Sequence, residues 1–253
     1  MSRVSVRKLW MEYPGQIVLE RINLEIPSGE FCALIGPSGC GKTTFLRLLL
    51  SIEQPSKGEI LIDDEPVAPE PGPDRGVVFQ RYSAFPHLTV AQNIILGMEF
   101  AEAPLTGRLF GGARRRALAE ADRLIEAVGL AAARDKYPAQ LSGGMQQRLA
   151  IAQTLVRKPK ILLLDEPFGA LDQGTKAQMY ELLLRLWREE KMTVFMVTHD
   201  LKEGFTLATR VLTFDKVRID PQAPGAYGAT ITFDLPLTAK LRAQANSASP
   251  RTA

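Results

Sequence analysis

The sequence predicts an α/β fold: a mainly parallel sheet, an antiparallel β section leading into it, and a run of helices inserted between its halves. Three observations carry this. Apolar runs of strand length, at 31–35, 161–164 and 193–197, alternate with helix-patterned segments, the order that produces parallel neighbours. Residues 3–35 alternate apolar and polar side chains in short runs broken at Pro14-Gly15 and Pro27-Ser28-Gly29, as antiparallel strands do. From about residue 89 to 158 the pattern turns helical, with apolar residues three and four apart over 117–128.

Taken in order, the strands of the first stretch lead into the buried run at 31–35, and a helix is expected from Lys42 to about Ser51. A short sheet section at 58–62 precedes a proline-rich loop at 66–73, and 77–79 is again strand-like. The helical insertion follows, at about 89–158. Two buried strands, 161–164 and 193–197, flank an amphipathic helix over about 174–190. A helix after Leu201 and a last pair of strands, near Val211 and Thr230, complete a domain spanning 1–237. Residues 238–253, rich in Ala, Ser and Arg, read as a disordered tail.

Composition narrows the function. With 31 basic and 28 acidic side chains the net charge is only +3, and the dense basic stripe expected of a nucleic-acid binder is absent. The densest cluster, Arg114-Arg115-Arg116, lies in an Ala/Glu-rich stretch and reads as a solvated helix face. No run approaches the roughly 18 apolar residues that span a bilayer, and the N-terminus lacks the apolar core of a signal peptide. A cytosolic protein is expected, with any membrane role supplied by a partner. Cys32 and Cys40 offer neither a disulfide framework nor a metal cluster.

The 31–35 strand runs directly into Gly36-Pro37-Ser38-Gly39-Cys40-Gly41-Lys42-Thr43, which fits G-x-x-x-x-G-K-[ST] between a strand and a helix. Glycines let backbone N–H groups turn inward around a β-phosphate, and the following helix adds its positive N-terminal end. Lys42 is placed to reach the β- and γ-phosphates of ATP, Thr43 to put its hydroxyl on Mg²⁺, and Thr44 follows in the same first turn. This makes a P-loop NTPase core the expected fold. The second apolar strand ends in Asp165 and Glu166. Asp165 can hold Mg²⁺ through its water shell, and Glu166 can orient and polarise an attacking water. A third element, Leu141-Ser142-Gly143-Gly144-Met145-Gln146-Gln147-Arg148, opens another helix. Alone it is a Ser N-cap with a flexible Gly pair. Beside a complete cradle it is a second phosphate grip, which one nucleotide needs from one chain only if a second chain is involved.

The whole set, in this order, resembles an ABC transporter nucleotide-binding subunit over nearly all of residues 3–215. In that family Leu-Ser-Gly-Gly-x-x-x-Arg is the signature motif, matched at 141–148, and the resemblance places Ser142, Gly143, Gly144 and Gln146 on ATP. Gln80 resembles the glutamine that senses Mg²⁺ and couples to the transmembrane partner. Gly169-Ala170-Leu171-Asp172 resembles the loop linking two sites, and His199 the switch histidine at the γ-phosphate. Tyr13 falls where the family sets an aromatic ring against adenine. The resemblance implies two subunits, expected to be identical, packed head to tail with two ATPs between them. It also implies membrane-embedded permease partners at the cytoplasmic face, and a substrate-binding protein reached through them. The segment from Pro71 to Gln80, with Phe85-Pro86 and Leu88-Thr89-Val90, is similar to importers of the nitrate, taurine and aliphatic sulfonate group. His87, the long stretch 101–116 and the segment 214–220 depart from that group, which leaves nitrogenous solutes open as cargo. The rival is an ABC-type ATPase acting on nucleic acid or ribosomes. Its usual long coiled coil or tandem cassettes have no counterpart here.

Overall fold

The computed structural model describes residues 1–79, 84–103, 106–169 and 171–238. In chain order it builds β1 (Val4–Tyr13), β2 (Gln16–Ile26), β3 (Phe31–Ile35), α1 (Lys42–Leu49), β4 (Lys57–Ile62), β5 (Glu65–Pro66) and β6 (Arg75–Val78). Then come α2 (Val90–Glu102), α3 (Gly111–Ala127), α4 (Gly143–Leu155), β7 (Ile161–Asp165), α5 (Gln173–Glu190), β8 (Thr193–Val197), α6 (Leu201–Leu207), β9 (Arg210–Asp215) and β10 (Thr230–Pro236). The chain forms two compact units.

The first unit holds residues 1–75, 160–166 and those from 191 onward. Its smaller sheet has the order β2-β1-β4-β5, and all three pairings are antiparallel. The larger sheet orders the strands of this unit β10-β9-β3-β8-β7. There β3 runs parallel to β8 and β9, and β7 runs parallel to β8, while β10 returns antiparallel to β9. Every residue of β3 and β8 is buried, as are the first four of β7. Strands apolar on both faces can only be central. Helix α1 covers this sheet with Phe45, whose ring meets Phe195 of β8 at 6.4 Å and Phe214 of β9 at 5.4 Å.

Three boundaries differ from the sequence reading, each for a local reason. Helix α1 stops at Leu49, because Ser51 turns left-handed at φ 58° and its N–H bonds back to Leu48. Pro66 is in a strand rather than a loop, and the two-residue β5 sits at the end of its sheet's order, where a missing N–H costs little. Strand β6 begins at Arg75, whose guanidinium is buried against the Leu49 carbonyl at 2.9 Å and Ser51 Oγ at 2.8 Å. A charged residue in that role is invisible to apolar periodicity.

The second unit holds Gly76–Pro159 and Pro167–Glu190. Helices α2, α3 and α4 pack together. Thr89 and Gln92 close a reciprocal capping box at the start of α2. Buried Asn93 ties the preceding loop to the helix by donating to the carbonyls of Phe85, Leu88 and Thr89 at 3.1, 2.9 and 3.0 Å. Part of the long stretch 101–116 is the first turn and a half of α3.

Candidate functional site

Strand β3 delivers the chain into the loop Gly36–Thr43, and Gly41 starts α1 from a left-handed φ of 88°. Gly36 is dictated by approach: a Cβ there would lie 2.1 Å from the Phe214 carbonyl oxygen of β9. Lys42 is almost wholly buried, and its ammonium donates to the carbonyls of Gly36 at 2.7 Å and Pro37 at 2.9 Å. The loop thus holds the cation that a phosphate would meet. Cys40 is buried beside it, with Sγ 3.6 Å from the ammonium. A cavity of about 310 Å³ opens here, lined by Ser38, Gly39, Gly41, Lys42, Thr43 and Thr44 from the loop and helix. Glu166, Val18 of β2 and Val197 of β8 complete its wall.

The acidic pair comes from the end of β7. Thr43 Oγ1 donates to Asp165 Oδ1 at 3.1 Å. Burial raises the Asp165 carboxyl above its ordinary range; the Thr43 bond opposes this and the Glu166 charge adds to it. Glu166 adopts φ 47° and donates its N–H to Val197 O at 3.0 Å. A left-handed backbone at a non-glycine residue costs on the order of 1–2 kcal/mol, and here it sets the carboxylate on the cavity wall. His199 follows β8 with Nδ1 3.6 Å from Glu166 Oε2. That strand end is pinned from below: Thr198 Oγ1 donates to buried Glu203 at 2.6 Å and accepts from Asp200 N–H at 3.0 Å.

Tyr13 ends β1. Its hydroxyl donates to Glu53, whose other oxygen accepts from Arg47 of α1 at 3.2 Å. Burial, then Glu53, raises the phenol further above neutrality, so it stays protonated. Of the residues singled out in the sequence, those from Gly36 to Thr44, with Asp165, Glu166, His199 and Tyr13, all belong to the first unit. Ser142, Gly143, Gly144 and Gln146 belong to the second. Ser142 caps α4 by accepting from Met145 N–H at 3.4 Å. Gln146 spends its amide on the carbonyls of Pro138 and Leu141 at 3.0 and 3.4 Å, and Arg148 holds the Val128 carbonyl at 2.9 Å. Asp172 caps α5 through Thr175. Gln80 and Ala170 lie outside the described residues.

Sequence reasoning passed over four contributors. Val18 and Val197 are ordinary strand valines that carry no signal. Glu53 looks like a surface acid until Tyr13 is folded over it. Glu203 could have been found, because Asp200 caps α6 and Glu203 stands three residues on, in the first turn.

The Thr43 hydroxyl and Asp165 carboxylate form an all-oxygen pair, which suits a hard cation such as Mg²⁺ that keeps most of its waters. No cluster of three or more His, Cys, Asp or Glu is found among the described residues. Nor, among them, is any helix long and apolar enough to cross a membrane.

The model of one protein family, described as ABC transporter, matches residues 19–169. The nitrate import ATP-binding protein NrtD of Synechococcus elongatus is 43% identical over 220 residues, covering 87% of this chain and 76% of that protein. The bicarbonate transport ATP-binding protein CmpC of the same organism is 44% identical over 221 residues, covering 87% of this chain and 31% of that protein. Among solved structures, a dimeric post-hydrolysis state of the ATP-binding cassette MJ0796, bound to ADP and Pi, superposes with a TM-score of 0.73 at 28% identity. That match covers 93% of this chain and 99% of the other. The family match spans more than half of the sequence, the phosphate loop and Glu166 line one cavity with His199 beside Glu166, and the chain therefore belongs to the ABC transporter family, as an ATP-binding, ATP-hydrolysing protein.

Proposed function

We propose that this chain is the energy-supplying subunit of an importer, working as a dimer in which each copy completes its partner's site. The observation that carries the reading is that Lys42, Thr43 and Glu166 line one cavity, with Asp165 bonded to Thr43 and His199 3.6 Å from Glu166, all within a single unit. The grip at Ser142-Gly143-Gly144 opens a helix of the other unit and is left for a nucleotide held by a second copy. Two chains packed head to tail give each ATP the cradle of one and the signature helix of the other.

In this reading Lys42 and the loop N–H groups bind the β- and γ-phosphates, with Gly143 and Gly144 of the facing chain closing over the γ-phosphate. Thr43 and Asp165, with Gln80, would hold Mg²⁺, which would supply charge neutralisation on the phosphate oxygens. Glu166 takes a proton from the attacking water, and His199, within reach of Glu166, steadies it and the γ-phosphate. Catalysis is then mostly positioning and charge stabilisation. The γ-phosphate provides the contact that favours the closed dimer, and its loss on hydrolysis reopens it.

A groove of about 300 Å³ in the second unit, lined among others by Phe79, Phe85, Phe100 and Gln153, is the seat we assign to a permease's cytoplasmic helix. The chain would thereby sit at the inner membrane face without crossing it. Relatives named for nitrate and for bicarbonate are equally similar, so the cargo is a small solute chosen by the partners, not by this subunit. The test is Glu166→Gln: it should bind ATP, lose nearly all hydrolysis and accumulate an ATP-bound dimer on size-exclusion chromatography. Wild-type turnover in that variant would rule out the assigned base.

A further inference from the structure

Beyond β9, residues 216–229 turn back and run along the edge of β2 that β1 leaves free. Ile17 N–H donates to Gly225 O at 2.8 Å, Ala229 N–H to Val18 O at 2.9 Å, and Glu20 N–H to Ala229 O at 2.9 Å. The approach is close enough that a Cβ on Gly225 would lie 2.5 Å from the Gly15 carbonyl oxygen. One latch fastens the excursion. Glu20 is buried, and its carboxylate accepts from Arg218 Nη2 at 2.8 Å and from Gly228 N–H at 3.3 Å. The Arg218 guanidinium in turn lies 4.2 Å from the centre of the Tyr227 ring. A buried carboxylate with a stacked guanidinium is a built contact, unlike an exposed ion pair.

The strand so held is the one that carries Val18 into the phosphate cavity. Tyr13 pairs with Gln16 across the β1–β2 hairpin, and strand alternation puts Gln16 on the same face as Val18. At this end of the hairpin lies a second cavity of about 510 Å³, lined by Glu12, Tyr13 and Gln16 of the hairpin and by Ala223, Pro224 and Ala226 of the excursion, among others. It falls within the roughly 300–1,000 Å³ range of small-ligand sites. An aromatic residue beside small side chains and peptide groups suits a flat heteroaromatic ring, stacked on one face and met at its edge by backbone donors and acceptors.

We propose that the 216–229 excursion is the outer wall of the base end of the nucleotide site, that it takes the adenine ring, and that Arg218 is the positioning residue that holds it there through Glu20. The proposal rests on the reading of Gly36–Thr43 as the phosphate cradle. Its test compares ATP with inorganic tripolyphosphate, which has the phosphates and no base. Three variants are needed: residues 219–226 replaced by Gly-Ser, Arg218→Met, and Arg218→Lys.

In the first two, ATP affinity should fall about tenfold and KM should rise with it, while kcat at saturating ATP stays within about twofold, the pattern of lost ground-state binding. Tripolyphosphate affinity should not change, and Arg218→Lys should recover most of the ATP affinity. Unchanged ATP affinity would overturn the proposal. So would an equal loss of ATP and tripolyphosphate, which would make the excursion a support for the hairpin alone. If wild-type protein fails to bind tripolyphosphate, or binds it as well after Lys42→Ala, the cradle itself is overturned and this inference with it.

Discussion

Asp165 and Glu166 are adjacent acids to which the proposed mechanism gives different tasks, and the backbone separates them. Asp165 is the last residue of a buried strand, and burial raises its carboxyl above the ordinary range. A raised folded-state value means that the neutral form is favoured on folding. Its stabilising effect is present at acid pH and is lost as pH rises through the folded value. At neutral pH the charged carboxylate is therefore a burden on the nucleotide-free chain, relieved when a cation sits against it. Asp165→Asn should raise the melting temperature at pH 7 without nucleotide, narrow that gain towards pH 4, and abolish Mg²⁺-dependent hydrolysis. A variant that melts lower at pH 7 would contradict this account of the site. Glu166 differs because its left-handed turn takes it out of the strand direction and onto the cavity wall. The identity of both acids was legible in the sequence. The turn that divides their roles was not, since nothing in the residue type announces φ 47°.

At the scale of elements, the legible parts were those with one period and one partner. The apolar runs of β3, β7 and β8 could only be central strands, and the loop after β3 could only be followed by a helix. The parts that escaped depend on contacts distant in sequence: Arg75 buried under Leu49 and Ser51, the edge strand at Pro66, and the pairing of 225–229 with β2. Helix starts were readable where a capping residue precedes the apolar pattern. Thr89 is such a case, and Thr89→Ala should destabilise the protein by about 1 kcal/mol, because it removes one half of the box and frees Gln92. Urea unfolding would measure it; no change would mean that α2 is held by packing alone. In the core of the other unit, Phe45→Ala should cost about 3–5 kcal/mol, since its ring fills the space between α1 and the rings on β8 and β9. A loss under about 1 kcal/mol would mean that the helix collapses onto the sheet without it.

At the scale of the whole molecule, the central claim is that no single chain contains a finished site. The cradle, the acids and His199 share one unit, and the signature grip caps a helix in the other. In the sequence the sign of this was a second phosphate grip beside a complete cradle, and only the family resemblance assigned that grip to a facing chain's nucleotide. Cargo stayed illegible for a physical reason: on this reading the solute never touches the chain. The most direct measurement is a complementation assay. Lys42→Ala destroys the cradle, and Ser142→Glu sets a negative charge against the γ-phosphate while placing an acid at the start of α4, where the helix tolerates it. Each variant alone forms dimers with both sites disabled. A mixed dimer pairs both lesions in one site and leaves the other intact. Co-refolded or co-expressed at equal amounts, the two should regain a substantial fraction of wild-type ATP hydrolysis. A mixture no more active than either variant alone would contradict the shared site.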